Sequence, residues 1–473
     1  MISDLRSYVD YLDRINNLIK VGYEVSPELE ITAFTDKAGR SKRYDSKALL
    51  FEKVSGYDMK VATNLFGSIT VLRELFSNTY ANEILANFNR IKSNTFTPSM
   101  IKSAKALMNS KPKVSQLKER HFRQIDSLDE LPILKVWPKD AGKFITLPLV
   151  VTRSPIDGSL NVGVYRMQVY DGETTGMHWQ AQKGGAIHAS QALENGEELK
   201  VSVAIGTDPY NVIAAIAPLP HGINEFSISG VARNSKTALM QYMDYPPVPE
   251  NADIVLYGKV DPKEKRKEGP FGDHNGYYSI PQEYPVFHIE KMYAKEKAIY
   301  PASVVGFSWH EDVVVGQFLF DYFKPIIKSM NESIVDIYLP PEGAFTGMCF
   351  VSIKKRFPGE AKKIMFSVLG TGQLSLTKII AVFDEDIDIR DTSKVMWALS
   401  TRVEPQRDIQ IIEGTVTDSL DHTTNLPDYG SKLLIDATKK IRGESYSREW
   451  PDTISLPEEL VREVERKWVS LKK

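Results

Sequence analysis

Leu5, Tyr8, Leu12 and Ile15 recur at the three-to-four-residue interval of one helix face, which predicts a helix near the start of the chain. The runs "ALLFEKV" and "KVATNLF" follow, set between polar residues and glycine, so residues 1–110 are expected to form a small α/β region. The pattern then changes. "FITLPLVVTRS", "LNVGVYRMQVYD", "LKVSVAIGT", "NEFSISGVAR" and "ADIVLYGKV" are alternating or β-branched runs bounded by Gly, Pro, Asn and Asp. They predict a β-rich middle domain over 111–310, with a barrel as one arrangement. Beyond residue 310 the two periods alternate. "VVVGQFLFDYFKPIIKSM", "AKKIMFSVLG" and "TSKVMWALSTRV" read as helices, and "VDIYLP", "CFVSIKK", "KIIAVFD" and "IQIIEGTV" as strands, predicting a second α/β domain over 311–445. The remaining segment, 446–473, contains "SLPEELVREVERKWVSLKK". Ser455 and Glu458 have capping-box spacing there, and Leu460, Val464, Trp468 and Leu471 share one face. Such a stripe needs a cover, from its own chain or from another subunit.

Length and composition narrow the class. A chain of 473 residues exceeds the usual span of one hydrophobic core, so two or three domains are expected. With 42% hydrophobic and 25% charged residues it falls among ordinary soluble globular proteins. A net charge of -2 argues against a nucleic-acid partner, and the basic runs "KEKRK" (263–267) and "KKR" (354–356) read as solvated loops. The single cysteine, Cys349, excludes an internal disulfide or a cysteine-based zinc cluster and reads as a buried thiol. The N-terminus is charged and amphipathic, without a signal-peptide core, and no apolar run is long enough to cross a bilayer; a cytoplasmic protein is expected.

The chain carries no GxxxxGK[ST] loop, HExxH helix, GxSxG elbow or strand-to-helix GxGxxG. "LGTGQLS" (369–375) reads as a helix C-cap. Three stretches hold more polar groups than folding requires. In 159–185, Asn161 and Arg166 open a strand, and His178, Trp179, Gln182 and Lys183 precede a Gly-Gly turn. In "APLPHGINEFSISGVAR", Glu225 enters an alternating run. An acid beside an amide from another element is one way to hold a hard divalent cation, and a solvated carboxylate at a strand mouth is the other reading. In "EGPFGDHNGYYS" (268–279), two glycines and Pro270 make a tight loop that presents Glu268 and Asp273 together, or merely exposes two acids at a turn.

Taken together, "NVGVYRMQ", "MHWQ" with "KGG", "LPHGINEFSISG", "EGPFGDHNGYY", "LTKIIAVFDEDIDI", "MWALSTRV", "LDHTT" and "GSKLLIDATKK" resemble, in order, the UbiD family of decarboxylases that use prenylated FMN. The resemblance spans nearly the whole chain. It implies an N-terminal α/β region, a central split β-barrel that binds the flavin, a C-terminal α/β domain and a terminal helix used in a homodimer or larger homo-oligomer. It also implies that a flavin prenyltransferase supplies the cofactor. Carried over by position, Asn161 and Glu225 match ligands of the Mn²⁺ or Mg²⁺ that ties the flavin phosphate to the protein, with K⁺ as a further cation. Val164, Tyr165, Arg166, His178, Trp179, Gln180, Lys183, Gly184 and Lys378 match flavin-contacting positions. Arg166, Glu268 and Asp273 match the catalytic Arg-Glu-acid trio. The chain departs from the family at Gln182, where many members carry a histidine ligand; Gln182 is either a third metal ligand through its oxygen or a spectator.

The implied reaction is a reversible, non-oxidative loss of CO₂ from an aromatic or α,β-unsaturated acid, of the 4-hydroxybenzoate or anhydromevalonate-phosphate type. Arg166 would clamp the substrate carboxylate. Asp273 would donate the proton, kept neutral by burial and by a second acid nearby, and Glu268 would orient the arginine. Tyr277, Tyr278 and residues 422–430 are candidates to line the pocket. The rival readings are a flavin-dependent oxidoreductase and a non-catalytic subunit of a multi-component carboxylase; neither accounts for the retained Arg166, Glu268 and Asp273.

Overall fold

In the computed structural model, which describes residues 2–77, 105, 108–180, 183–219, 223–307 and 309–471, the first helix, Leu5–Arg14, starts on a capping box. The Asp4 carboxylate accepts the Ser7 amide at 2.7 Å and the Ser7 hydroxyl accepts the Asp4 amide at 3.1 Å. Leu5, Tyr8, Val9 and Leu12 form its buried face; Ile15 is the C-cap residue and lies exposed. The helix stands beside a four-stranded sheet in the order Leu18–Val25, Ala48–Val54, Lys60–Thr63, Ile299–Ala302. That last strand is parallel to Lys60–Thr63, so the chain comes back to its first sheet after completing the central one.

The central sheet runs Thr174–Gly176, Gln282–Ala294, Ile254–Glu268, Leu199–Ile205, Leu149–Arg153, Leu160–Val164, and its hydrogen-bonded path does not close into a complete barrel. Its frame is the long antiparallel pair 254–268 and 282–294, which shifts register at Tyr257/Gly258 and again after Val260. Gly258 is required at the first shift, because a Cβ there would lie 2.0 Å from the His288 carbonyl oxygen. The same hairpin places Glu268 at the end of one strand and leaves residues 269–281 as the loop that joins it to the next. The third sheet, in the order Ile334–Tyr338, Met348–Ile353, Ile379–Asp384, Tyr429–Ala437, Ile409–Val416, is parallel in its middle and antiparallel at both edges. Helix Glu360–Leu369 packs Ala361, Ile364, Met365 and Val368 into its core, and helix Thr392–Arg402 contributes Val395 and Ala398. Cys349 is fully buried, and burial pushes its thiol well above the ordinary range.

Three local expectations are corrected. "NEFSISGVAR" is a helix, Glu225–Arg233, because the Asn224 side chain accepts the Phe226 and Ser227 amides and caps it; the buried positions 226, 229 and 230 follow a helical period that the Phe-Ser-Ile-Ser alternation disguises. "KEKRK" is exposed but belongs to strand Ile254–Glu268 rather than to a loop. In "KKR", Lys355 is not solvated: its side chain is 3% exposed and its Nζ meets Glu444 Oε2 at 2.6 Å and Thr438 Oγ1 at 2.8 Å. The helix before "TGQLS" does end at Gly370. Helix Glu458–Leu471 forms, with Leu460, Val464, Trp468 and Leu471 all exposed. Among the described residues no helix is long and apolar enough to cross a membrane.

Replacing Gly258 by alanine is expected to destabilise the chain by roughly 1–3 kcal/mol through overpacking against backbone. An earlier urea midpoint than wild type is the measurement that checks it.

Candidate active site

The loop after Glu268 is pinned before any side chain of the site is considered. The buried Asp140 carboxylate accepts the Trp137 amide at 2.8 Å and the Gly272 amide at 2.8 Å. Gln168 Oε1 accepts the Gly269 amide at 2.8 Å, and the loop closes on itself through Ser279 N to Phe271 O and Asp273 N to Tyr277 O. Gly272 has no room for a side chain: a Cβ there would lie 2.1 Å from Trp137 Cδ1. Glu268 and Asp273 thereby face the interior, with side chains 0% and 3% exposed.

Arg166, two residues past strand Leu160–Val164, lies between them. Its Nε donates to Glu268 Oε1 at 2.9 Å, its Nη1 donates to Asp273 Oδ2, and its Nη2 reaches Ser279 Oγ at 3.4 Å. The guanidinium also sits 4.7 Å from the centre of the Phe271 ring. His178 completes the group: its Nδ1 is 2.6 Å from Glu268 Oε2 and its ring packs 4.3 Å from Tyr284. Burial pushes the Glu268 carboxyl up, but the His178 hydrogen bond and the Arg166 charge outweigh it and hold the group below its ordinary value. For Asp273, burial is likewise overcome by the charges of Arg166 and His274, and the net shift is downward. The expectation that a second acid keeps Asp273 neutral is therefore corrected: the acids do not face each other, because the guanidinium stands between them.

The other end of the same stretch, 161–166, faces a different cluster. Glu225 is the first residue of its helix, and its Oε2 accepts the Val162 amide at 3.2 Å. Burial pushes its carboxyl up to about 7, only partly offset by amide hydrogen bonds. The Asn161 side chain donates to the Tyr165 hydroxyl at 3.4 Å, and its Oδ1 lies 2.0 Å from where a Cβ on Gly184 would be. Gly184 and Gly185 begin helix Gly184–Asn195, whose N-cap residue, Lys183, provides no side-chain cap. Trp179 lies against Gly185, and its buried Nε1 has no acceptor among the described residues. Burial lowers the Lys183 pKa, and the Asp418 charge opposes that only in part.

Gln180 Nε2 donates to Ser419 Oγ at 2.8 Å, and Lys378 Nζ donates to Asp421 Oδ1 at 3.0 Å and to Thr423 Oγ1 at 2.5 Å. One loop, 418–423, thus takes contacts from both the central and the C-terminal segments. Val164 is half-buried at the strand end. Tyr277 is 69% exposed, edge-on to His422, and the Tyr278 hydroxyl accepts the Lys139 amide at 3.2 Å. Gln182 lies outside the described residues. Among the described residues no three or more His, Cys, Asp or Glu side chains form a metal cluster, so a cation here would have Glu225 as its carboxylate, and amide or phosphate oxygens for the rest. The chemistry fits a phosphorylated flavin and a hard divalent cation: an uncapped Gly-Gly helix start, an unpartnered indole N–H, and a buried carboxyl that a cation would return to its ionised form.

The sequence model of the 3-octaprenyl-4-hydroxybenzoate carboxy-lyase N-terminal domain matches residues 9–90, that of the Rift-related domain 107–308, and that of the C-terminal domain 313–437. The chain belongs to the UbiD family. UbiD proteins are carboxy-lyases, and this chain is accordingly a decarboxylase by family. It is 45% identical to an uncharacterized protein of Archaeoglobus fulgidus, over 98% of each chain. Vanillic acid decarboxylase of Sedimentibacter hydroxybenzoicus in its closed form superimposes with a TM-score of 0.84 at 28% identity, over 100% of this chain and 99% of that one. The UbiD-class enzyme HmfF of Pelotomaculum thermopropionicum, in complex with FMN, gives 0.77 at 26% identity over 96% and 97%.

Ser279, Asp140, His274 and Asp312 were not singled out by sequence. Ser279 and His274 lie inside the conspicuous loop, but the contacts that give them importance cross long stretches of chain, and no local pattern announces those.

Arg166→Met is expected to destabilise the protein by roughly 3–5 kcal/mol at pH 7, since two buried carboxylates lose their counter-charge. In wild type both acids titrate below their ordinary values of 3.8 and 4.5, so their contribution persists above that range and fades as pH falls through it. In the variant burial acts unopposed by Arg166, and part of the lost stability should return between pH 7 and pH 5. Denaturation midpoints at the two pH values test this.

Proposed function

We propose that this UbiD protein is a reversible, non-oxidative decarboxylase that uses prenylated FMN and Mn²⁺ or Mg²⁺ to remove CO₂ from an aromatic or α,β-unsaturated carboxylic acid. The observation that carries this reading is the buried guanidinium of Arg166 bonded at once to Glu268 and Asp273. Asn161 and Glu225 would hold the metal, with Gln182 either a third oxygen donor or a spectator; Lys183, Gly184, Trp179 and Lys378 would hold the flavin and its phosphate. When bound, the prenylated flavin supplies the electron sink for the pair left behind by CO₂.

The protein's own residues manage charge. Arg166 receives the substrate carboxylate with its planar pair of N–H donors, and in turning to it gives up part of its hold on Asp273. Burial then dominates at Asp273, its pKa rises, and it takes and holds a proton for delivery to the carbon that CO₂ leaves. Glu268, fixed by His178, keeps Arg166 charged and oriented throughout. Residues 1–110, 111–310 and 311–445 are the proposed domains, with strand Ile299–Ala302 of the second returning to the sheet of the first and the flavin on the second. The exposed apolar face of helix Glu458–Leu471 supports a homodimer or larger homo-oligomer. The enzyme is cytoplasmic.

Co-expression with a flavin prenyltransferase, followed by mass and absorbance measurement of the bound flavin and a CO₂-release screen over aromatic, acrylic and phosphorylated acids, tests the reading. Asp273→Asn should retain flavin while CO₂ release falls by about 100-fold or more; normal turnover in that variant would exclude Asp273 as the donor. Glu225→Gln should purify poor in both flavin and metal, by elemental analysis and absorbance, and wild type should lose flavin on prolonged chelation.

A further inference from the structure

Each decarboxylation consumes one proton, since a carboxylate and a proton become a C–H bond and CO₂. Asp273 cannot collect that proton readily, because its side chain is only 3% exposed. The next residue can. His274 Nε2 lies 3.7 Å from Asp273 Oδ1, its side chain is 34% exposed, and its Nδ1 is 2.5 Å from Asp312 Oδ2. Asp312 is the second residue of helix Glu311–Met330, where the helix dipole favours a carboxylate. The imidazole edge is supported by Phe345, whose ring meets it at 5.5 Å in a T-shaped contact, and the His274 amide donates to Asp273 Oδ1 at 2.8 Å.

We propose that His274, anchored by Asp312, is the port through which Asp273 takes a proton from solvent once in each turnover. The inference rests on Asp273 being the donor. Asp273 gives its O–H proton to the substrate carbon and becomes a carboxylate. When the next substrate draws Arg166 away, Asp273 takes the Nε2 proton of the His274 imidazolium at its Oδ1, across a ring movement of less than about 1 Å or one bridging water. The neutral ring keeps its Nδ1–H on Asp312 and is reprotonated at Nε2 from water. His274 acts through Asp273 and is a positioning residue rather than a catalytic one.

The charges facing the ring come from three elements: Asp312 on the helix, Asp273 on the loop, and Arg166 beyond the strand. Glu311, also on the helix, turns its Oε2 to the Phe66 amide at 2.9 Å, and His310 turns its Nε2 to Asp36 at 3.1 Å. Burial lowers the His274 pKa, but Asp312 and then Asp273 raise it, to about 9. The imidazolium is thus the resting form at neutral pH, as a proton port requires, and it is lost as pH rises through about 9.

The test needs no substrate at first. NMR titration of the histidine ring signals in the flavin-free chain, with His274 assigned by its absence in His274→Gln, should give a midpoint near 9 that falls by at least one unit in Asp312→Asn. A midpoint near 6.5 that Asp312→Asn leaves in place overturns the proposal. In the flavin-loaded enzyme, with the acid that releases CO₂ fastest in the screen, His274→Gln should lose kcat at least about 10-fold with KM within two-fold, and added imidazole should restore part of it. The alkaline limb of kcat should move to lower pH in Asp312→Asn. Wild-type kcat in His274→Gln while Asp273→Asn is inactive refutes the port alone; turnover in Asp273→Asn refutes the donor assignment beneath it.

Discussion

The buried charge of Arg166 is the constraint on which the site depends. Two carboxylates with almost no exposure cannot both stay ionised in an apolar interior unless a cation is shared between them, and a guanidinium can satisfy both because its donors fan out in one plane. Everything around it serves that geometry. Asp140 and Gln168 pin the loop that carries Asp273, the long hairpin sets Glu268 at its end, and Phe271 lies under the guanidinium face. A shared cation is also a switchable one. On the proposed reading, a substrate carboxylate competing for Arg166 would change the protonation of Asp273 without any group having to move far.

The stretch 161–166 has a second role. Asn161 at one end faces the helix start at Gly184, the Val162 amide beside it meets the Glu225 carboxyl, and Arg166 at the other end faces the acids. One strand end therefore sets the distance between the Glu225 and Gly184 cluster and the Arg166 cluster, the proposed phosphate-binding and reacting sides. Loop 418–423 of the C-terminal segment, bonded to Gln180 and Lys378, brings the third sheet to this same place.

Much of this was legible in the chain itself. The helix and strand periods, the turn chemistry of "EGPFGDHNGYY" and the ordered set of motifs led to the fold class and the family, because local propensity, caps and glycines act over a few residues. The failures were also local in origin. "NEFSISGVAR" alternates like a strand, yet the side chain of Asn224 caps a helix, and a burial pattern cannot be read from an alternating run of small residues.

The tertiary structure alone decided which charges are neighbours. From sequence, Glu268 and Asp273 are two acids five residues apart and should raise each other's pKa; folding inserts Arg166 between them and the sign reverses. The same holds for Ile299–Ala302 joining the first sheet and for Asp312 reaching His274. Residue types and spacing determine what chemistry a chain can carry. Electrostatic interaction and burial depend on distances of a few ångströms between residues far apart in sequence, and only the folded chain sets those.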